Sequence, residues 1–117
     1  MHGTIDLERT IETADDQFPA LFQLFGGYFH QDWREEYTSA DDALAAFKNE
    51  APIGALHDAL VEIDEVMSLQ LDDPDLGRLL TDGLASNYMP HTDGLSNTQW
   101  FVHLRNVLLP STSPQGN

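Results

Sequence analysis

The chain has 117 residues, no cysteine, and twenty Asp and Glu against five Lys and Arg, for a formal net charge of -15. That length suits one domain with its own hydrophobic core, and the lack of cysteine excludes disulfides, zinc–thiolate sites and thiol catalysis. So acidic a chain cannot neutralise phosphates, which excludes nucleic acid and anionic lipid as partners and points to a basic protein surface or a cation.

Residues 1–16 are polar with scattered Ile5, Leu7 and Ile11, and are expected to form a short helix or a loose arm. Asp6, Glu8, Arg9 and Glu12 break that segment up, whereas a signal peptide needs a basic start and a continuous apolar stretch. No run approaches the roughly 18 apolar residues of a membrane span, and the expected location is the cytoplasm. Residues 17–109 read as the core domain, and residues 110–117, with two prolines, two serines, a threonine and a glycine, as a disordered tail.

Within the core the signals are helical. Phe18, Leu21, Phe22, Phe25 and Phe29 fall at the 3–4 spacing of one helix face, with Pro19 tolerable in the first turn. Gly26-Gly27 lies inside that pattern at a cost of up to about 1 kcal/mol per glycine relative to alanine. The pair is read as a close backbone approach or a break before Tyr28. Ser39 with Asp42 nearly forms a capping box and opens a second helix, whose apolar face holds Leu44 and Phe47 and which ends before Pro52. Ile53, Leu56, Leu60, Ile63 and Met67 form the clearest stripe, expected to be buried. Asp73-Pro74 reads as an N-cap followed by a first-turn proline, opening a short helix through Leu76, Leu79 and Leu80 that stops at Gly83. Residues 87–95 carry Pro90 and Asp93-Gly94 and read as a loop. Ser96 with Gln99 is a capping box for a last helix, with Trp100, Phe101, Leu104, Val107 and Leu108 inward. No run alternates with period two for long enough to argue a strand, so the expected architecture is an all-α bundle of about five helices.

Catalytic patterns are lacking. His30 and Asp32, like His91 and Asp93, are two residues apart, and such pairs do not face each other on a helix. There is no HExxH, EF-hand or phosphate-loop pattern and no GxSxG elbow. His57-Asp58 and His103 read as ordinary surface positions on helices. No catalytic residue, metal ligand or cofactor is assigned. A small metal-dependent hydrolase built on His30, Asp32, His91 and Asp93 is a remote alternative.

The acids are clustered instead. Asp58, Glu62 and Glu65 form a ridge opposite the third helix's apolar stripe, with no Lys or Arg in that helix. Like charges so spaced destabilise a helix by a few tenths of a kcal/mol per pair. Asp32, Glu35, Glu36, Asp41 and Asp42 make a second cluster, relieved only by Arg34. Asp72, Asp73 and Asp75 make a third, explained in part as complements to a helix dipole. Together they suggest a surface for a cationic partner, with Tyr37 as an aromatic anchor. An acidic adaptor or nucleic-acid mimic, serving several basic proteins, is the alternative reading.

The segment Phe25-Gly26-Gly27-Tyr28-Phe29-His30-Gln31-Asp32-Trp33, preceded by Phe18-Pro19-x-Leu21, resembles the opening signature of the immunity proteins of contact-dependent growth inhibition, the CdiI type. Ser39 to Phe47, Glu62-Ile63-Asp64, and Tyr88-x-Pro90-x-x-Asp93-Gly94-Leu95 followed by Trp100 are similar to later parts of that family, over about residues 17 to 109. The resemblance implies a cytoplasmic protein that binds the C-terminal toxin domain of a large surface exoprotein, in many such systems a nuclease. Its motif residues Phe25, Phe29, Trp33, Tyr88 and Trp100 are expected to pack the fold. The interface is expected at Asp32, Glu35, Glu36, Tyr37, Asp41, Asp42, Asp58, Glu62 and Glu65.

Overall fold

Four of the helices start at a side-chain cap in the computed structural model, which describes residues 6–109. The expected tail at residues 110–117 lies outside the described residues. α1 (Leu7–Glu12) starts at Asp6, whose side chain accepts from the Arg9 N–H, and α2 (Ala14–Gln17) follows after Thr13. α3 (Pro19–Tyr28) begins with proline, where a missing N–H removes no helical hydrogen bond. After the single turn of α4 (Trp33–Glu36), Ser39 caps α5 (Ala40–Glu50), its Oγ accepting from the Asp42 N–H at 3.1 Å. α6 (Ile53–Ser68) is the longest element at 16 residues. α7 (Asp73–Arg78) continues directly into a π-helical turn (Leu79–Gly83). A 3-10 turn (Pro90–Asp93) precedes α8 (Asn97–Leu108), whose capping box between Ser96 and Gln99 is complete.

All regular elements among the described residues are helical. The expected five helices correspond to α3, α5, α6, α7 with its π extension, and α8. The short helices α1 and α2 fall almost wholly in the segment expected as a short helix or a loose arm, and α4 is an addition. The N-terminal segment from residue 6 onward is helical and packed: α1 lies on the π turn, Thr10 and Ala14 are buried, and Glu8 pairs with Arg78 at 2.8 Å.

α3 and α8 both pack on α6, and α5 closes against α3 and α8. Between them lies an aromatic cluster centred on Phe29, whose ring centroid is 5.4 Å from that of Trp33, 5.6 Å from Tyr88 and 5.7 Å from Trp100. Such pairs contribute about 0.5–1.5 kcal/mol each beyond their area burial. The motif aromatics therefore pack the core, as expected from their spacing. A main-chain bond from the Asn87 N–H to the Phe29 carbonyl, 2.9 Å, ties the loop after the π turn to the end of α3.

Several sequence readings change. The buried face of α6 is Ala59, Glu62, Ile63 and Val66, while Leu56, Leu60 and Met67 are half-buried and Ile53 is 86% exposed. The stripe thus lies along the margin of the core, with Leu56, Leu60 and Met67 packed against its edge and Ile53 facing solvent. On α3, Leu24 takes the inward place expected for Phe22, which is exposed. The α7 cap is Asp72, whose Oδ1 accepts from the Asp75 N–H at 3.1 Å. Asp73 is turned away toward α8. Gly77, inside α7, allows that approach: a Cβ there would lie 2.6 Å from Asn97 Nδ2.

Gly26 and Gly27 neither break α3 nor admit a neighbour, since both are exposed and nothing lies within 4 Å of a Cβ built on either. Each therefore weakens a helix with no packing return. Gly26→Ala and Gly27→Ala are expected to stabilise the protein by about 0.5–1 kcal/mol each, read as a higher urea midpoint at unchanged m-value.

Candidate functional site

The carboxylates fall into two groups, and the division corrects the ridge expected on α6. Asp58 and Glu65 are exposed, but Glu62 is only 7% exposed. Its Oε1 accepts from the Leu21 N–H at 3.0 Å and its Oε2 from the Ala20 N–H at 3.2 Å. These are among the unsatisfied donors of the first turn of α3, whose own N-cap, Phe18, has no side-chain acceptor to offer. Burial pushes the Glu62 pKa up, the two N–H groups pull it down, and the charges of Asp58 and Glu65 push it further up, with a net rise. Glu62 is thus an internal strut between α6 and α3.

Asp73 plays the same part for α8. Its carboxylate accepts from the Thr98 N–H at 2.9 Å, the Thr98 hydroxyl at 3.0 Å, and the Asn97 N–H and side-chain amide, both at 3.2 Å. These bonds, led by that from the Thr98 N–H, hold its pKa below the usual carboxylate value.

The other expected interface carboxylates, Asp32, Glu35, Glu36, Asp41 and Asp42, are all exposed around α4 and the start of α5. Glu36 lies 3.3 Å from His30 Nε2, while His30 Nδ1 accepts from the Asp32 N–H at 3.1 Å. Arg34, expected to relieve this cluster, stacks its guanidinium 4.4 Å from the Trp33 ring centroid. Tyr37 is half-buried and stacks on Tyr28 with centroids 6.1 Å apart, so one face of it is already covered. Burial raises the Tyr37 pKa. The Tyr28 pKa is pushed up to about 12, chiefly by its hydroxyl's hydrogen bond to Glu50 at 2.6 Å.

The hydrolase constellation is not assembled: among the described residues no three His, Asp or Glu are grouped to hold a metal ion. His30 is engaged with Glu36, and Asp93 accepts from the Tyr88 hydroxyl at 2.7 Å. No helix among the described residues is long and apolar enough to cross a membrane.

Two surface features escaped the sequence reading. An apolar groove of about 580 Å³ runs along the first turns of α6, lined by Ile53, Leu56, Leu60 and Leu108 and edged by Lys48 and His57. A smaller cavity of about 380 Å³ lies between the start of α5, the 88–95 segment and α8, and includes Asp41, Tyr88, Asp93, Leu95, Trp100 and His103. In it Asp41 Oδ1 meets His103 Nε2 at 2.6 Å. Burial and then the bond to Asp93 raise the Tyr88 pKa, so its phenol stays protonated at neutral pH. The five-residue interval from Tyr88 to Asp93, closed over a turn, was the available signal for this second site.

Fold and surface together define a small, strongly acidic, all-helical protein in which Glu62 and Asp73 serve helix ends and the remaining carboxylates of the described residues face solvent. It belongs to the CdiI immunity protein family, whose profile matches residues 17–108. It is similar to a chain of the crystal structure of a CdiA-CT/CdiI complex from Y. kristensenii 33638, with 28% identity and a TM-score of 0.76 over 80% of this chain and 99% of that one. No curated protein matches the chain.

Glu62→Ala is expected to lower stability by about 1–3 kcal/mol, because the Leu21 N–H is left buried without an acceptor. Thermal or urea unfolding checks this; an exposed ridge residue would give nearly no change. The two struts should also respond oppositely to acid. The raised Glu62 pKa means the folded state binds that proton more tightly, so its contribution improves as pH falls through the folded value toward the mid-4s. The lowered Asp73 pKa means its contribution is present above about 3.8 and lost as pH falls further. Stability difference curves of wild type against Glu62→Gln and against Asp73→Asn, measured between pH 7 and 3, should slope in opposite directions.

Proposed function

We propose that this protein is the immunity half of a contact-dependent growth inhibition pair: it binds the toxin domain at the C-terminus of its cognate exoprotein in the cytoplasm and blocks it, without chemistry of its own. The observation that carries the reading is the family match over residues 17–108, joined by the likeness to a structure solved as a CdiA-CT/CdiI complex. The net charge of -15 supports a partner with a basic surface. A nuclease, which must hold phosphates, presents such a surface, and the toxin is proposed to be one. The exposed Asp32, Glu35, Glu36, Asp41 and Asp42 around α4 and α5, with the open edge of Tyr37, form the proposed docking face. Asp58 and Glu65, exposed on α6, are proposed as further contacts; Glu62, buried, is not.

Titration against the purified toxin domain encoded beside this gene, at two salt concentrations, tests the reading. Nanomolar binding, about 12 kcal/mol, is expected, together with loss of toxicity and no binding to non-cognate toxin domains. Similar binding to several unrelated basic proteins would favour an adaptor instead. The double variant Glu35→Lys, Glu36→Lys should slow association about tenfold or more at low salt and much less at high salt.

A further inference from the structure

We propose that the apolar groove along the first turns of α6 is a self-association surface, covered by the same region of a second copy of this chain. The proposal stands apart from the immunity role and uses none of the residues proposed to meet the toxin.

The groove and the side chain that fits it lie side by side on one helix. Ile53 opens α6 with 86% of its surface exposed, the most exposed large apolar side chain among the described residues. Leu56, Leu60 and Leu108 line the hollow of about 580 Å³ beside it. Leu109, 37% exposed, extends the apolar margin at the end of α8. A knob and a hollow on one patch are self-complementary about a two-fold axis, where each copy gives a contact and receives the same one. The rise from Ile53 to Leu60 is about 10 Å. Two α6 helices lying antiparallel over that length bring each Ile53 onto the Leu60 end of the other copy's groove.

Charge selects a second copy over the toxin. The chain has twenty Asp and Glu, yet none lines this groove, and its edges carry His57 and Lys48, the one lysine of the sequence. A basic toxin surface finds no opposite charge in such a lining. An acidic chain does. Ile53, His57, Leu60 and Asp64 follow the 3–4 spacing of one face of α6, and Asp64 is exposed one turn beyond Leu60. Antiparallel pairing turns that end of α6 toward the α5–α6 junction of the other copy, where Lys48 stands. Lys48 Nζ donates to the Leu109 carbonyl at 3.2 Å, which leaves two of its three donors for a carboxylate.

Two chains of net charge -15 repel each other at long range. Salt screens that repulsion, the Debye length falling from about 8 Å at physiological ionic strength to about 3 Å at 1 M. Self-association therefore strengthens with salt, opposite to the binding of a basic toxin.

Sedimentation velocity of the full chain over a concentration series, at physiological and at high salt, tests the proposal. A dimer with a micromolar dissociation constant is expected, tightening about tenfold or more at high salt. Ile53→Glu is expected to stay monomeric throughout, and a glutamate in the first turn of a helix is compatible with folding. Val102→Glu, at an exposed position on α8, is the control and is expected to dimerise as wild type does. Urea unfolding verifies that both variants are folded. A wild-type chain that is monomeric at both salt concentrations, or an Ile53→Glu variant that dimerises as well as wild type, overturns the proposal. A monomeric wild type whose Ile53→Glu variant loses affinity for the toxin domain overturns it too and gives the groove to the toxin.

Discussion

The fold hinges on a carboxylate held away from water between two helices. Glu62 sits near the middle of α6 and reaches the first turn of α3, more than 40 residues earlier in the chain, where it accepts from the Ala20 and Leu21 N–H groups. In a chain of net charge -15, a buried anion is an expensive choice of strut. The positive end of α3 offsets part of that cost, because its N–H groups and its dipole both favour a negative charge there. The junction orients α3 so that Phe25 and Phe29 enter the aromatic cluster. Asp73 repeats the device at the start of α8, which brings Trp100 and Phe101 to the same cluster from the other side.

Surface and core are linked through residues 86–95. Ser86 Oγ accepts from the Tyr88 N–H and donates to the Tyr88 carbonyl, a local clamp that fixes where Tyr88 enters the core. The Tyr88 ring packs against both Phe29 and Trp100, and its hydroxyl ends at Asp93 on the surface. Gly94, at φ +77°, adopts the left-handed conformation that turns the chain toward the capping box of α8. A single tyrosine thus shares in core packing, turn geometry and the surface cavity.

What was readable in the sequence were the local signals. Ser39 and Ser96 mark their helix starts, Pro19 and Pro52 mark boundaries, and the aromatic spacing identifies the packed faces, because each depends on residues within one or two turns. Glu62 was misread because spacing alone places it beside Asp58 and Glu65; only tertiary structure shows the open end of α3 waiting across the gap. Asp73 was misplaced as the α7 cap for the same reason, since its partners Asn97 and Thr98 are 24 and 25 residues away. The stripe beginning at Ile53 has helical period, but periodicity says nothing of where the margin of the core falls. The Asp41–His103 contact likewise joins residues 62 apart.

Separating the structural acids from the solvent-facing ones has a consequence for how such a protein changes over generations. Glu62 and Asp73 are tied to main-chain donors and leave little room for replacement. Asp32, Glu35, Asp42 and Asp58 accept no side-chain contact from the described residues, and substitutions at such surface positions typically shift stability by no more than about 0.5 kcal/mol. The proposed recognition face can therefore follow an altering partner by single steps, each leaving the scaffold folded, and a lineage of these proteins can acquire new specificities without first acquiring new stability.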